Sequence, residues 1–242
     1  MRKLFIGAAA VALTATAVPA FAAWDVPDKK PVQGNAYTLR GGELEVGLLM
    51  PSGYGITDRV QVSSQLLADI LLAPNANLAF KIVDNPSVAV ALDVGGFATP
   101  YGLAGAEFGG FATFPVTESF SLTGDLHYGA GTVFGGAANR GGTALGQQFF
   151  IGNFAAAGGM NAGLQAESII DAHNHLLGRM NFSLAGVTNP NLPVLGAITG
   201  QAQYTHAWDV LQLGGGILVA SAYTIGTVST PILPYVDISG RF

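Results

Sequence analysis

The chain of 242 residues is 50% hydrophobic and only 10% charged, with 34 glycines, 12 prolines and no cysteine. Water-soluble domains carry about 25% charged residues, so this composition argues against an ordinary cytosolic enzyme. Ten basic against 15 acidic residues give a net charge of −5, which excludes the broad basic surface that nucleic-acid binding needs. The absence of cysteine excludes a disulfide framework, a thiolate metal site and a thiol nucleophile.

Residues 1–22 have the form of a secretory signal peptide. Arg2 and Lys3 precede an apolar run, and Ala20-Phe21-Ala22 is a small-residue cleavage pattern. The run is short and rich in alanine, which disfavours a membrane anchor. We therefore expect this segment to be removed and the remaining chain to be exported.

Alternation of apolar and polar residues follows most of the remaining chain. Leu122 and Leu126 alternate with Thr123 and Asp125, and the same period of two recurs up to the last residues. This period places alternate side chains on opposite faces of a β-strand. Long uncharged stretches raise the alternative of membrane helices, but prolines, glutamines and the run 214–216 of three glycines interrupt them.

Turn-forming residues divide this pattern into strands. Tight turns are predicted at 51–57, 84–87, 116–118, 171–174 and 207–209, and longer connections at 67–74, 99–105, 134–146, 188–192 and 226–230. With 36–40 as a short first strand and Gly41-Gly42 as its turn, the count is about twelve strands. Alternating short and long connections, an even count and so few charges predict an all-β fold, a closed antiparallel transmembrane β-barrel over residues 36–242. Residues 23–35 lack the strand pattern and are interpreted as a tail on the short-turn side or a plug.

The final strand carries the main resemblance to known proteins. Val236, Ile238 and Phe242 fall on one face of a segment that ends in an aromatic residue. Together with the signal peptide and the alternating strands, this segment resembles the C-terminal strand of Gram-negative outer-membrane β-barrel proteins. The resemblance implies that these three residues are the signal read by the barrel assembly machinery, although Gly240 stands where a larger apolar residue is usual.

A second resemblance covers about one tenth of the chain, at residues 42–48 and 54–62. These segments look like the first strands of small barrels of the meta-pathway phenol-degradation outer-membrane family. That family implies transport of hydrophobic compounds, and no functional residue is carried over from it.

The polar faces of the strands supply the candidate functional residues. In a barrel these faces point into the lumen, where opposed charges either pair and constrict it or set a field across a water-filled pore. Small residues at Ala89, Ala91, Gly129, Gly163, Gly214 and Gly216 are expected to leave room for a narrow path. The residues predicted to line the lumen are Glu43, Glu45, Arg59, Gln61, Lys81, Asp93, Asp125, His127, Gln165, Glu167, Arg179, Asn181, Gln201, Gln203, Tyr235, Asp237 and Arg241.

The four histidines are the candidates for acid–base or metal chemistry. His173 and His175 form an H-x-H pair that is interpreted as part of a solvated turn, and His206 is assigned to an interfacial aromatic girdle. His127 is predicted to lie in the lumen beside Asp125, as a hydrogen-bonded pair without catalysis. The chain has no G-x-S-x-G elbow, so no catalytic residue, metal or cofactor is predicted.

The sequence thus predicts a passive outer-membrane channel or transporter for small solutes, hydrophobic ones among them, and not an enzyme. The alternatives are a closed structural or surface-interaction barrel and, third, a barrel enzyme acting on lipid. Expected partners are outer-membrane lipids, the barrel assembly machinery and a small-molecule solute, with no nucleic acid.

Overall fold

The structure is a computed structural model that describes residues 34–49, 51–70, 74–98, 103–133, 159–184, 197–208, 210–224, 227–229 and 232–242. The signal peptide, residues 23–33 and the connections predicted at 134–146 and 188–192 lie outside the described residues.

Thirteen strands form one antiparallel sheet, and twelve of them build its continuous wall. The short β12 pairs only with the end of β11, in the connection that leads to β13. The strands are β1 (Leu44–Gly47), β2 (Ser52–Thr57), β3 (Val60–Ser64), β4 (Asn75–Asn85), β5 (Val88–Ala98), β6 (Leu103–Thr117), β7 (Phe120–Val133), β8 (Gly159–Ile169), β9 (Asn174–Leu184), β10 (Ala197–Trp208), β11 (Leu211–Thr224), β12 (Thr227–Ser229) and β13 (Ile232–Arg241).

The sheet closes on itself, which confirms the predicted fold class. Each wall strand pairs with its neighbour in sequence, and β13 returns to pair with β1 through the register Glu45↔Arg241. The seam is completed by Phe242, whose amide donates to the carbonyl of Leu44 at 2.7 Å and whose carbonyl accepts from the amide of Leu44 at 2.9 Å. A closed wall leaves no strand edge, so its backbone groups are satisfied without water.

The burial of side chains is the reverse of that in a water-soluble protein. Along β7, Asp125 and His127 are buried, whereas Leu122 and Leu126 are 44% and 50% exposed. Large apolar side chains on the other strands, such as Phe108 and Val236, are exposed in the same way. A surface of this kind suits a hydrocarbon environment, and the polar faces meet in the interior of the barrel.

Two strand assignments made from the sequence are wrong. One predicted strand is absent and one unpredicted strand is present, so the total of twelve wall strands is unchanged. Residues 36–40 are not a strand, and residues 51–57, predicted as a turn, contain strand β2. The predicted turn at Gly41-Gly42 is present, with Gly42 at a φ of 89° that favours glycine. Gly53 and Gly55 gave β2 the composition of a turn. They lie within the strand, where another segment of the chain passes close to the backbone.

Short turns and longer connections lie at opposite ends of the barrel, as predicted. The turn at 58–59, which joins β2 to β3, stands at the same end as Leu44 and Phe242. At the other end, the connection from β3 to β4 carries one short helix, α1 (Leu66–Ile70), which was not predicted. Within the described part of the chain, no helix is long and apolar enough to cross a membrane.

Candidate functional site: the polar lumen

A segment of the N-terminal region crosses the interior of the barrel. We call residues 35–40 the strap. At one side the amide of Leu39 donates to Gln61 Oε1 on β3 at 2.8 Å, and at the other Asn35 Nδ2 donates to Glu167 Oε1 on β8 at 3.3 Å. Between them, the amide of Ala36 donates to Thr113 Oγ1 on β6 at 2.9 Å. These contacts carry the chain from β3 to β8, and residues 35 to 39 are buried.

Small residues of the wall make room for the strap. Ala89 and Ala91 of β5 form an apolar cluster with Ala36, Tyr37 and Leu39 of the strap, and each of the two wall alanines is only 1% exposed. These positions were predicted to leave space for a path, but the strap fills that space.

Gly55 on β2 also makes room for the strap. A Cβ there would lie 1.9 Å from the carbonyl oxygen of Arg40, so any side chain at this position would displace the end of the strap.

A chain of ionic contacts runs along the wall above the strap. His127 lies between two carboxylates, with Nε2 2.9 Å from Asp93 Oδ1 and Nδ1 3.2 Å from Asp125 Oδ1. Arg179 Nη2 donates to Asp125 Oδ2 at 3.0 Å. Because carboxylates accept hydrogen bonds, both imidazole nitrogens of His127 donate only when the ring is protonated. With this ring protonated, the four residues form a chain of alternating charge.

Glycines explain why this chain lies flat against the wall. The contact between Asp93 on β5 and His127 on β7 passes over β6, where both residues are in register with Gly109. The contact between Asp125 on β7 and Arg179 on β9 passes over β8, where Asp125 is in register with Gly163. A Cβ would come within 2.2 Å of the His127 ring at 109 and within 2.1 Å of the Asp125 carboxylate at 163. Opposite charges therefore pair between next-nearest strands on one side of the barrel.

Amide side chains connect this ionic chain to the strap. Arg179 Nη1 donates to Gln165 Oε1 at 3.2 Å, and Gln165 Nε2 in turn donates to Glu167 Oε1. Glu167 also accepts from Asn35 of the strap, so the strap and Arg179 share a hydrogen-bonded network through two residues of β8. Movement of the strap would break a bond to Glu167 and alter the surroundings of Arg179.

A second ion pair stands at the short-turn end. Arg241 Nη2 donates to Glu43 Oε2 at 2.8 Å, and the same carboxylate oxygen accepts from the amide of Arg40 at 2.9 Å. Lys81 pairs with Asp84 at 2.7 Å, beside the bulge between Lys81 and Val83 in β4. Both ion pairs lie at the short-turn end of the barrel.

The structure places most of the predicted lumen residues on the interior face. Arg59 is an exception, because the strands on either side end at Thr57 and Val60 and leave Arg59 exposed in the turn. Glu43, Lys81 and Tyr235 are partly buried. The others are buried: Glu45, Gln61, Asp93, Asp125, His127, Gln165, Glu167, Arg179, Asn181, Gln201, Gln203, Asp237 and Arg241.

The predicted H-x-H pair is divided between two environments. His173 is exposed in the turn, whereas His175 begins the interior face of β9 and is only 2% exposed, so the solvated-turn interpretation is wrong for His175. The ring of His173 instead stacks on His206 of β10, at a centroid distance of 6.0 Å. His206 also meets the ring of Trp208 edge-on at 4.4 Å, as expected for an aromatic group at the barrel end. Among the described residues, no cluster of three or more potential metal ligands is present.

The turn between β8 and β9 is held by a carboxylate. Hydrogen bonds from Asn174 Nδ2, at 2.8 Å and 2.7 Å, and from the amide of His173, at 2.8 Å, hold the pKa of Asp171 below its usual range. These donors satisfy the charged form of the carboxyl group in water.

Several interior residues were missed from the sequence. Glu107 stands between Gly105 and Gly109 on its face of β6, so the segment lacks a clear polar alternation. Thr113 and Thr123 are buried and joined by a hydrogen bond of 2.9 Å between their hydroxyl groups. In β6, small or polar residues occupy every second position, on the face of the strand opposite to Phe108 and Ala112. This alternation was the signal in the sequence for an interior face.

The three residues predicted to form the assembly signal lie on the outer face of the last strand. Val236, Ile238 and Phe242 are 64%, 49% and 66% exposed. A Cβ at Gly240 would lie 3.1 Å from the ring of Phe242, a tight contact that a shift of the exposed ring would relieve.

A closed twelve-strand wall, apolar outside and polar inside, is the architecture of an outer-membrane β-barrel protein. No family model matches the chain, and no curated protein matches it. Among solved structures, the chain is similar to the outer membrane channel DcaP of Acinetobacter baumannii, with a TM-score of 0.42 and 10% identity over 82% of this chain and 62% of that one. It therefore spans less than two thirds of the length of DcaP.

Two further solved structures are similar. A bacterial polysaccharide outer membrane secretin gives a TM-score of 0.47 and 9% identity over 83% of this chain and 69% of that one. The COG4313 outer membrane channel of Pseudomonas putida F1 gives a TM-score of 0.49 and 8% identity over 86% of this chain and 97% of that one.

Proposed function

We propose that this protein is an outer-membrane channel for small polar solutes, with the strap narrowing its lumen on the periplasmic side. The observation that carries the proposal is the lining of the barrel, where carboxylate, amide, hydroxyl and guanidinium groups are buried inside an apolar outer surface. A barrel of about twelve strands lies between the filled barrels of eight strands and the open porins of 16 to 18. We infer that a barrel of this size leaves a path beside a single segment of chain.

The lining favours polar over hydrophobic solutes. An apolar molecule moving through this lumen would separate buried polar groups from their partners without replacing the hydrogen bonds. A polar solute exchanges hydrogen bonds with amides such as Gln201 and Gln203, which already pair with each other at 3.1 Å and with Tyr235. The solute we propose is therefore small, polar and able to donate hydrogen bonds.

The strap determines how much of the lumen is open. Its polar contacts to Gln61, Thr113 and Glu167 are a few hydrogen bonds between a short segment and the wall, each contributing about 1 kcal/mol, and its apolar side chains add a contact with the wall alanines. Such a set of contacts can open without unfolding the barrel. Outer-membrane lipids around the wall and the assembly machinery at the last strand are the further partners that we propose.

A closed barrel without conductance is the second candidate function. It is favoured by the low exposure of the interior residues, among which Thr113, Thr123 and Asp237 are no more than 2% exposed. In that case the strap is a permanent part of the core, and the outer connections carry the function.

Uptake by proteoliposomes distinguishes the two candidates. The chain without residues 1–22 is refolded into lipid vesicles, and swelling is followed in small sugars and amides of increasing size. A channel gives swelling that declines with solute size and increases when the strap is released by Gly55→Ala, with Gly215→Ala on the outer face as the matched control. A folded barrel that gives no swelling in either variant overturns the proposal and leaves the closed barrel.

A further inference from the structure

The interior of the barrel carries an excess of acidic groups. Six carboxylates are buried among the described residues, against two guanidinium groups and two imidazoles. The acidic groups are Glu45, Asp93, Glu107, Asp125, Glu167 and Asp237, and the basic ones are Arg179, Arg241, His127 and His175. Lumens lined by carboxylates attract cations and repel anions.

Three of these four basic groups contact particular carboxylates. His127 contacts Asp93 and Asp125, Arg179 contacts Asp125, and Arg241 contacts Glu43 at the rim. These three groups are therefore not available to hold an anion at mid-depth of the barrel, and His175 lies at the start of β9, near the barrel end.

Glu107 makes no direct ion pair of this kind with a described residue, although His127 lies near enough for its charge to act on the carboxylate. Its side chain is only 6% exposed, and its Oε2 atom accepts no hydrogen bond from any described residue. Its cross-strand neighbours in the register are Gly95 on β5 and Gly129 on β7, which carry no side chain, and the amide oxygen of Asn77 lies beside Gly95, 3.0 Å from where a Cβ would stand. Burying a carboxylate without a partner is costly, and an adjacent cation removes that cost.

We propose that Glu107 binds a permeating monovalent cation and that the lumen is therefore cation-selective. This inference rests on the proposed channel function and names its substrate class, an alkali cation or a small protonated amine. The cation contacts Glu107 on the interior face of β6, between Gly95 on β5 and Gly129 on β7.

The test is the reversal potential of the refolded channel in a planar bilayer under a gradient of KCl. We expect K⁺ to be favoured over Cl⁻ by about ten-fold, the lower end of the enrichment that a charged, low-dielectric cleft produces. Glu107→Gln is expected to bring the ratio at least halfway towards one. Glu118→Gln makes the same chemical change in the exposed turn between β6 and β7 and is expected to leave the ratio unchanged.

Methylammonium chloride in place of KCl distinguishes the two cation sources, because a selective alkali site excludes the organic cation and a general site passes it.

A conducting channel that favours Cl⁻ or neither ion overturns the inference while the proposed function stands. A cation preference that Glu107→Gln does not reduce overturns the role of Glu107. A folded barrel without conductance overturns the proposed function and this inference with it. Migration of each variant as a heat-modifiable band verifies folding.

Discussion

The carboxylate of Asp125 lies directly over Gly163, where any Cβ would come within 2.1 Å of its Oδ2 atom. This position brings Oδ2 within 3.0 Å of Arg179 Nη2 across the width of β8. The ion pair therefore depends on the absence of a side chain on the strand between its partners.

Gly163→Ala is expected to destabilise the barrel by about 1–3 kcal/mol, because the added methyl group overpacks the site and displaces Asp125 from Arg179. The measurement is the midpoint of urea unfolding in detergent, followed by tryptophan fluorescence. Gly178→Ala is the matched control, since a Cβ there has no neighbour within 4 Å. Equal midpoints for the two variants would contradict the described position of Asp125.

Removing one partner of the Asp125–Arg179 pair leaves a buried charge uncompensated. Arg179→Gln and Asp125→Asn are each expected to cost about 3–5 kcal/mol of unfolding free energy. The double variant is expected to cost less than the sum, since neither charge then remains unpaired. A double-mutant cycle in urea measures the coupling, and strictly additive effects would show that the two side chains do not interact.

Gly55→Ala is expected to release the strap, because the new methyl group would stand 1.9 Å from the carbonyl oxygen of Arg40. Hydrogen exchange at the amides of Ala36 and Leu39 measures the effect, since these amides donate to Thr113 and Gln61. We expect their exchange to accelerate by at least an order of magnitude, as for a segment that opens locally. Unchanged protection would show that the strap adapts without leaving the wall.

Asp171 makes the turn between β8 and β9 sensitive to acid. Its pKa is lowered by hydrogen bonds from Asn174 and from the amide of His173, so its contribution to stability is complete above the ordinary aspartate pKa of about 3.9. That contribution is lost as the pH falls through the lower pKa of the folded state. Carboxyl NMR titration is expected to give a midpoint below that of a peptide, and Asn174→Ala is expected to raise it. A normal midpoint in the unaltered protein would contradict this account.

Much of the fold could be predicted because a lipid-facing barrel enforces alternation. Leu126 between Asp125 and His127 can only point outward, and the structure places all three as predicted. The strap could not be predicted, because its partners Gln61, Thr113 and Glu167 lie on separate strands, and nothing in residues 35–40 specifies contacts at such sequence distances.

Glycine concealed two further features. Gly53 and Gly55 made β2 resemble a turn, although Gly55 is needed where the backbone of Arg40 passes. Glycines on both sides of Glu107 in sequence likewise hid a charged position on the interior face. In a sequence, a glycine can mark a turn, a close approach of the backbone, or open space within a strand. Only the structure distinguishes these three cases.

The central claim is that the barrel conducts through a lumen that the strap narrows, and single-channel recording with a locked strap tests it most directly. Because the chain has no cysteine, Ala36→Cys with Thr113→Cys introduces one pair at a site where backbone and side chain are 2.9 Å apart. We predict small, defined conductance steps in the oxidised protein that also carries Gly55→Ala, and larger steps after the same protein is reduced. A folded barrel that passes no ions in either state, or steps that are identical in both, would contradict the claim.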